Sequence, residues 1–443
     1  LVDFILLQHA EEAAILWVQR DAAVRAPHYD LQTLERHDDR LAAHLDGLLV
    51  GAEAAGEVLR EQFAAFPEAG EAFAAAWHAL ACGGRARFEE VVDAAAAADA
   101  AKDPADLAPP AEDAPRPGAL RAVASALGWA EPGLLGGLVA DHLGSDDVDR
   151  RRLALAACAL HRRDPGEALA AALDDPEPRV RARAAKAAGE LGRADLAPAL
   201  VERLGAEDAE ERFHAAWSAS RLGARAADDV LAAFATANGP FAARAADAAP
   251  RFAPPGEALA RLRGLRAAAD REPALARRVV QAVGAYGDPA FLPWLLERMD
   301  EPRLARVAGE AAARITGWDL SYDDLEADPP DGAAAGPTDD PADPDVSPDP
   351  DADLPWPDAA GLARRLAGEA GAHPSGERRL GGRPVGEAAA LLAAGPQRAR
   401  RAAALEIGAA DPRAALFPWA ARAASQRAAR AASQRAALVS RAR

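Results

Sequence analysis

One short pattern, a small residue followed by a large apolar one and often by glycine, returns about every 31 residues. That periodicity restricts the fold more than any other feature of the chain. It is plainest as SALG at 125–128, KAAGELG at 186–192, WSASRLG at 217–223 and VGAYG at 283–287, with looser copies AACALH at 156–161 and AARITG at 312–317. Marked by the large apolar residue (Leu127, Leu160, Leu191, Leu222, Phe252, Tyr286 and Ile315), successive copies lie 33, 31, 31, 30, 34 and 29 residues apart. Residues 174–204 show the unit whole. Asp-Pro opens a turn, and Val180, Ala184, Ala187, Ala188 and Leu191 then fall on one helical face. Gly192 stops that helix as a left-handed cap residue does. Asp195 begins a second helix with a stripe of Leu196, Leu200, Val201 and Leu204. Neither helix can bury its stripe alone, so neighbouring pairs must stack. The next unit repeats the plan with Phe213, Trp217, Leu222, Val230, Leu231 and Phe234.

Composition agrees with stacked helices. Of 443 residues 50% are hydrophobic but only 5% aromatic, and alanine dominates, which favours close helix packing over a β-sandwich. Two cysteines, Cys82 and Cys158, are too few for a disulfide framework or a cysteine-based zinc site. No run of 18 apolar residues exists, so no membrane insertion is expected. The first residues lack the layout of a secretory signal, and a cytoplasmic setting is the expectation. Lysine occurs only at 102 and 186, so almost every cation is arginine.

The net charge of −18 is concentrated. Between Arg314 and Arg364 there is no lysine or arginine, while fourteen acids run from Asp319 to Asp358; without them the chain would carry only −4. Residues 319–357, rich in Asp, Pro and Gly, are expected to form an acidic disordered linker. The chain thus divides into an N-terminal helical hairpin at 1–50, atypical helical capping repeats at 51–117, a repeat solenoid at 118–318, the linker, and a C-terminal helical region at 358–443. In the hairpin a helix to about Val24 is broken at Pro27, and Asp30 caps a second helix with Leu31, Leu34, Leu41, Leu45 and Leu48 inside. At the far end RAASQRAA at 422–429 recurs at 430–437.

With its aspartate turn, Val-Arg pair and Ala-Leu-Gly ending, the unit at 118–318 resembles the short HEAT-like repeat also found in phycobilisome-lyase-type proteins. The period and the Asp-Pro opening fit it better than a tetratricopeptide repeat. The ends of the chain are similar to an uncharacterised bacterial HEAT-repeat family. The matching blocks are the stretch from His9 to Trp17, Arg20 to Val24, Pro27 to Tyr29 and Asp39 to Gly47, then Leu354 to Pro357, Leu380 to Pro384 and Gln397 to Glu406. The resemblance implies an all-α fold, an α-solenoid of HEAT-like helix pairs between an N-terminal helical hairpin and a small helical C-terminal region. It supplies no catalytic residues, and it associates the chain with gene neighbourhoods encoding type VI secretion components.

Candidate chemistry is sparse. His9, Glu12, His44 and Asp46 are of the types that make a nitrogen–oxygen metal site across two helices, but no His-Glu-x-x-His pattern accompanies them, and interhelical hydrogen bonding is the simpler expectation. Arg150–Arg152, Arg162, Arg163, Arg179, Arg181, Arg183 and Lys186 suggest a basic stripe on successive first helices. A nucleic-acid reader of the repair type would use such a stripe, yet it also needs an acid and a base pocket that the sequence does not place. Asp146, Asp147, Asp174, Asp175 and Glu177 stand ready to pair with it. Acids at the starts of second helices (Glu167, Asp195, Asp228, Asp229, Glu257, Asp288) are explained by the helix macrodipole. No phosphate loop or nucleophile elbow is present. The reading is therefore a non-enzymatic scaffold or adaptor with a protein partner, without metal or cofactor, and with oligomeric state open. A secretion accessory role is its extension. A nucleic-acid binder and a lyase-like or metal-dependent enzyme are the alternatives. The expected recognition residues are His9, Glu12, Trp17, His28, Tyr29, His44 and Asp46 in the hairpin, with Trp356 and Trp419 towards the other end.

Overall fold

The repeat period becomes a run of helix pairs. The computed structural model describes residues 2–102, 118–330, 333, 349–369 and 371–431. Four helices open the chain: α1 (Val2–Ala23), α2 (Leu31–Ala65), α3 (Ala69–Ala81) and α4 (Arg85–Ala101). Then come α5 (Ala119–Trp129) with α6 (Pro132–Leu143), α7 (Val148–Leu160) with α8 (Glu167–Ala172), and α9 (Pro178–Leu191) with α10 (Ala197–Glu202). They are followed by α11 (Ala209–Arg221) with α12 (Asp228–Thr236), α13 (Ala242–Phe252) with α14 (Pro255–Ala269), α15 (Pro273–Tyr286) with α16 (Leu292–Arg298), and α17 (Pro302–Thr316). The C-terminal region holds α18 (Ala359–Gly368), a minimal hairpin of β1 (Arg379–Leu380) and β2 (Arg383–Pro384), α19 (Ala388–Ala394), α20 (Gln397–Ala410) and a helical stretch at 423–431. The fold is an all-α, HEAT-like solenoid.

Local chemistry sets the helix ends. Proline stands in the first turn of α6, α9, α14, α15 and α17, where its missing N–H costs nothing. Asp147 and Asp208 cap α7 and α11 by accepting from the N–H groups of Arg150 and Glu211. Gly192, Gly287 and Gly317 close α9, α15 and α17 with φ of 73°, 84° and 80°. The expected boundary after residue 50 falls inside α2, which runs on to Ala65 past a kink at Ala52.

Successive first helices, α7 to α9, α9 to α11, α13 to α15 and α15 to α17, pack directly on one another, whereas successive second helices make no comparable contact. The stack therefore curves with its first helices inside. Small residues permit that close approach: a Cβ on Gly284 would lie 2.8 Å from the Cβ of Ala311 in the next repeat.

Two parts of the chain depart from expectation. Residues 319–330 and 349–357, read from composition as solvated linker, are seated on α15 and α17. Leu320, Leu325 and Leu354 are buried, and Glu326 pairs with Pro357 as an isolated antiparallel bridge. Arg277 grips Asp351 with two bonds of 2.8 and 2.6 Å, and Arg306 takes Asp349 at 2.6 Å. Bidentate arginine pairing offsets the cost of bringing these carboxylates in from water. The rest of the acidic segment, 331–332 and 334–348, lies outside the described residues, as do 103–117 of the capping region and most of the second RAASQRAA copy.

The C-terminal region is likewise not a separate body. Leu362, Leu380, Leu392, Leu405 and Leu416 belong to the same core as α11 to α17. The chain returns along the ends of the first helices as a strap. Gly381 N–H donates to Arg314 O at 2.6 Å beside α17, and Arg379 N–H to Gly287 O at 2.8 Å beside α15. Arg251 of α13 meets Glu406 of α20 at 2.8 Å. Arg221 of α11 donates to Ala414 O at 2.6 Å, and Leu416 N–H to Glu190 O of α9 at 2.8 Å. Arg162, just after α7, reaches Leu416 O at 2.6 Å. The glycines of the repeat signature make room for the strap: a Cβ on Gly192 would stand 2.6 Å from the carbonyl oxygens of Arg413 and Ala414, and one on Gly317 2.8 Å from Gly381.

Candidate functional site

The hairpin residues separate into three environments. His9 and His44 meet across α1 and α2, Nδ1 to Nδ1 at 3.1 Å, with edge-on rings. Burial and the neighbouring His9 hold the His44 imidazole below its ordinary range, with Glu12 opposing them. Asp46 faces solvent on α2. Among the described residues no group of three or more His, Cys, Asp or Glu is placed to hold a metal ion. His9 and His44 join α1 to α2 through an interhelical hydrogen bond.

Trp17 is a core residue rather than a recognition residue. It stacks on Phe73 with ring centroids 5.3 Å apart and donates from Nε1 to Ser125 Oγ at 3.0 Å. The α1 stripe that carries it is the one facing α3 and α5, so helical phase decides its burial. Trp356 is half-buried under Arg306, whose guanidinium carbon sits 4.7 Å from the ring centroid. His28 is exposed beside Tyr29.

Tyr29 and Trp419, from opposite ends of the sequence, come together. Both pack on Ala23, Val24 and Leu34, and Tyr29 O accepts the Gln397 N–H at 2.6 Å. Next to them Asp38 binds Arg20 and the Ala423 N–H, so the strap that began on α17 ends on the hairpin. The first RAASQRAA copy takes part: Gln426 is buried and accepts from Arg400 at 2.6 Å. A sequence offers no period that would reveal such a junction, because its two halves lie about 390 residues apart and neither belongs to the 31-residue repeat.

The basic stripe is largely neutralised by pairing between and within repeats. Arg150 binds Glu89 and Asp93, Arg151 binds Asp175, Arg152 and Arg179 share Asp149, and Arg181 binds Glu211, at 2.8–3.1 Å. The basic stripe of the sequence, with Arg183 and Lys186 of α9, continues in register, one repeat apart, through residues the sequence did not single out as a line: His214 and Trp217 of α11, then Arg244 and Asp247 of α13. Its signal is polar residues at i and i+3 in the Ala-rich first helices. Asp247 collects Arg314 at 2.9 Å, Arg251 at 3.1 Å and Arg401 at 3.6 Å. Burial works to raise its carboxyl, and the three guanidiniums override that and hold it far below the carboxylate range. Glu190 is likewise brought down to about 2, where burial is outweighed by Arg183, Lys186 and Arg162.

A cavity of about 750 Å³ opens between α2, α3 and α4, lined mainly by apolar groups such as Leu59, Phe63, Ala79 and Val91, with His78 at its wall. His78 lies 3.5 Å from Cys82 Sγ, and burial keeps its imidazole below the ordinary range. No helix among the described residues is long and apolar enough to cross a membrane.

Residues 166–249, the stretch that holds α8 to most of α13, match the family described as HEAT repeats. Over those residues the chain is similar to HEAT repeats. No curated protein matches it. HEAT repeats account for the paired helices and for the inner and outer layers, but the match stops short of the hairpin and the strap.

Proposed function

We propose that this HEAT-repeat chain is a non-enzymatic scaffold that binds a protein partner through the outer face of α1. The observation that carries this reading is an apolar surface on that helix: Phe4, Ile5, Ile15 and Val18 are 69, 47, 55 and 44% exposed. The opposite face of α1, with Leu6, Ala13, Leu16 and Trp17, is buried. Contiguous apolar groups exposed on one helix face mark a contact surface. His28, exposed at the tip of the same hairpin, extends it. The resemblance of the chain's ends to a bacterial family found near type VI secretion genes supports a partner among secretion components. Unpaired Cys82 and Cys158 suit a reducing cytoplasm.

The test is affinity capture from the native host with the full chain and with Ile15→Glu combined with Val18→Glu. Both positions are exposed, so the fold survives the change. Loss of a specific partner in the double variant is expected, and an unchanged set of captured proteins overturns the reading. Light scattering of the purified chain gives a separate check: a dimer broken by the same substitutions would assign the face to self-contact instead.

A further inference from the structure

Lys186 differs from every other cation on the inner face described above. Arg183 is tied to Glu190, and Arg162 and Arg221 to carbonyls of the strap, whereas Lys186 has no hydrogen bond and no ion pair within 4.0 Å among the described residues. We propose that the inner face where α9, α11 and α13 meet binds a small oxyanion, a phosphate or carboxylate group, held by Lys186, Arg183 and Arg244.

The charge balance supports it. In a chain of net charge −18, this corner sets three cations against two carboxylates, half-buried Glu190, which Arg183 already holds at 3.1 Å, and exposed Glu210. The Arg244 guanidinium carbon lies over the Phe213 ring, 4.8 Å from its centroid. His214 is buried beneath the three cations, and its Nδ1 has no hydrogen-bond partner. The electrostatic consequences run one way. Burial, with Arg244 and Arg183 nearby, brings the Lys186 ammonium down to about 8 despite Glu190. Burial and the same cations keep the His214 imidazole neutral, well below its ordinary range. An anion seated among these groups would reverse both shifts.

Contacts of the C-terminal segment flank these cations. On one side Arg162 and Arg221 hold the strap at Ala414 and Leu416; on the other, Arg401 of α20 closes onto Asp247. Half-buried Trp217, one repeat on from Lys186 in register, offers an aromatic face to whatever carries the anion.

The experiment uses the full chain with inorganic phosphate and with citrate, each against chloride of equal ionic strength. One of the two anions should raise the unfolding midpoint of the wild type by several degrees, and which one does so names the group. Lys186→Met should lose that rise, with affinity about tenfold weaker or more for the loss of a charge-assisted bond, while Lys186→Arg keeps part of it. Because the chain has only two lysines, the Lys186 ammonium can be titrated directly by carbon-labelled NMR, and its midpoint should move upward when the anion is added. Equal thermal shifts in the wild type and Lys186→Met, or a Lys186 titration unmoved by either anion, would overturn the proposal.

Discussion

Arg20 and Asp38 form a buried ion pair 2.9 Å apart at the base of the hairpin, and both also grip the C-terminal strap. Arg20 donates to the carbonyls of Ala420 and Ala421 at 2.8 Å each, and the second oxygen of Asp38 accepts the Ala423 N–H at 2.7 Å. Removing the carboxylate leaves a buried guanidinium without its counter-charge. Asp38→Ala should therefore cost about 3–5 kcal/mol. It should also free residues 414–426, read as lost amide-exchange protection there before the repeats lose theirs. Unchanged protection of that stretch would show that the pair does not hold the strap.

The glycines of the repeat signature should split into two classes. At Gly287 (φ 84°) an added Cβ would fall on the carbonyl oxygen of Arg379, whereas at Gly223 (φ 89°) it would meet nothing within 4 Å. Gly223→Ala should cost only the left-handed backbone penalty, about 1–2 kcal/mol. Gly287→Ala should cost clearly more, because the strap must shift. Denaturant midpoints of the two variants decide it, and equal losses would refute the seating role.

Acid should unfold the inner face through Glu190. Its folded carboxyl sits at about 2 against an ordinary 4.5, so its stabilising contribution is complete above 4.5 and declines as pH falls from there towards 2. Glu190→Gln should be less stable than the wild type at neutral pH, and that deficit should shrink across the same window. A constant difference from pH 6 to pH 2, measured by urea unfolding, would contradict it.

Lys186 gives the opposite sign. Its folded value of about 8 lies below the ordinary 10.5, so charging it opposes folding at every pH below 8, and the penalty fades between 8 and 10.5. The groups facing it are Arg183 and Glu190 on its own helix, Glu210 and His214 on α11, and Arg244 on α13. Without added anion, Lys186→Met should be more stable than the wild type at pH 7, and the gain should disappear above pH 10.5. A variant less stable at pH 7 would mean that the ammonium is already satisfied.

The repeat was legible because its cause is local. Val180, Ala184 and Leu191 share a face at helical spacing, and Gly192 ends the helix by its own backbone preference, so the architecture needed no distant information. Trp17 was misplaced because an apolar helix with large residues on both faces does not declare its phase; Phe4 and Ile15, on its other face, are the exposed ones. The strap and the docked acidic ends escaped notice for another reason. Asp351 reads as a solvated acid in a run of acids, and only the approach of Arg277 from α15 makes it a buried one. Lys186 was visible in the sequence as part of a basic stripe, but which member of that stripe goes unpaired depends on where each neighbouring repeat puts its carboxylate.

An open array of repeats loses order one unit at a time from its free ends, since each unit leans only on the next. Here a single returning segment touches the last repeat, the middle ones and the opening hairpin in turn, which buckles the row into a hoop. Fraying at either end must then break bonds at the other. The expected consequence is that the hairpin and the segment docked on it lose order together rather than one at a time.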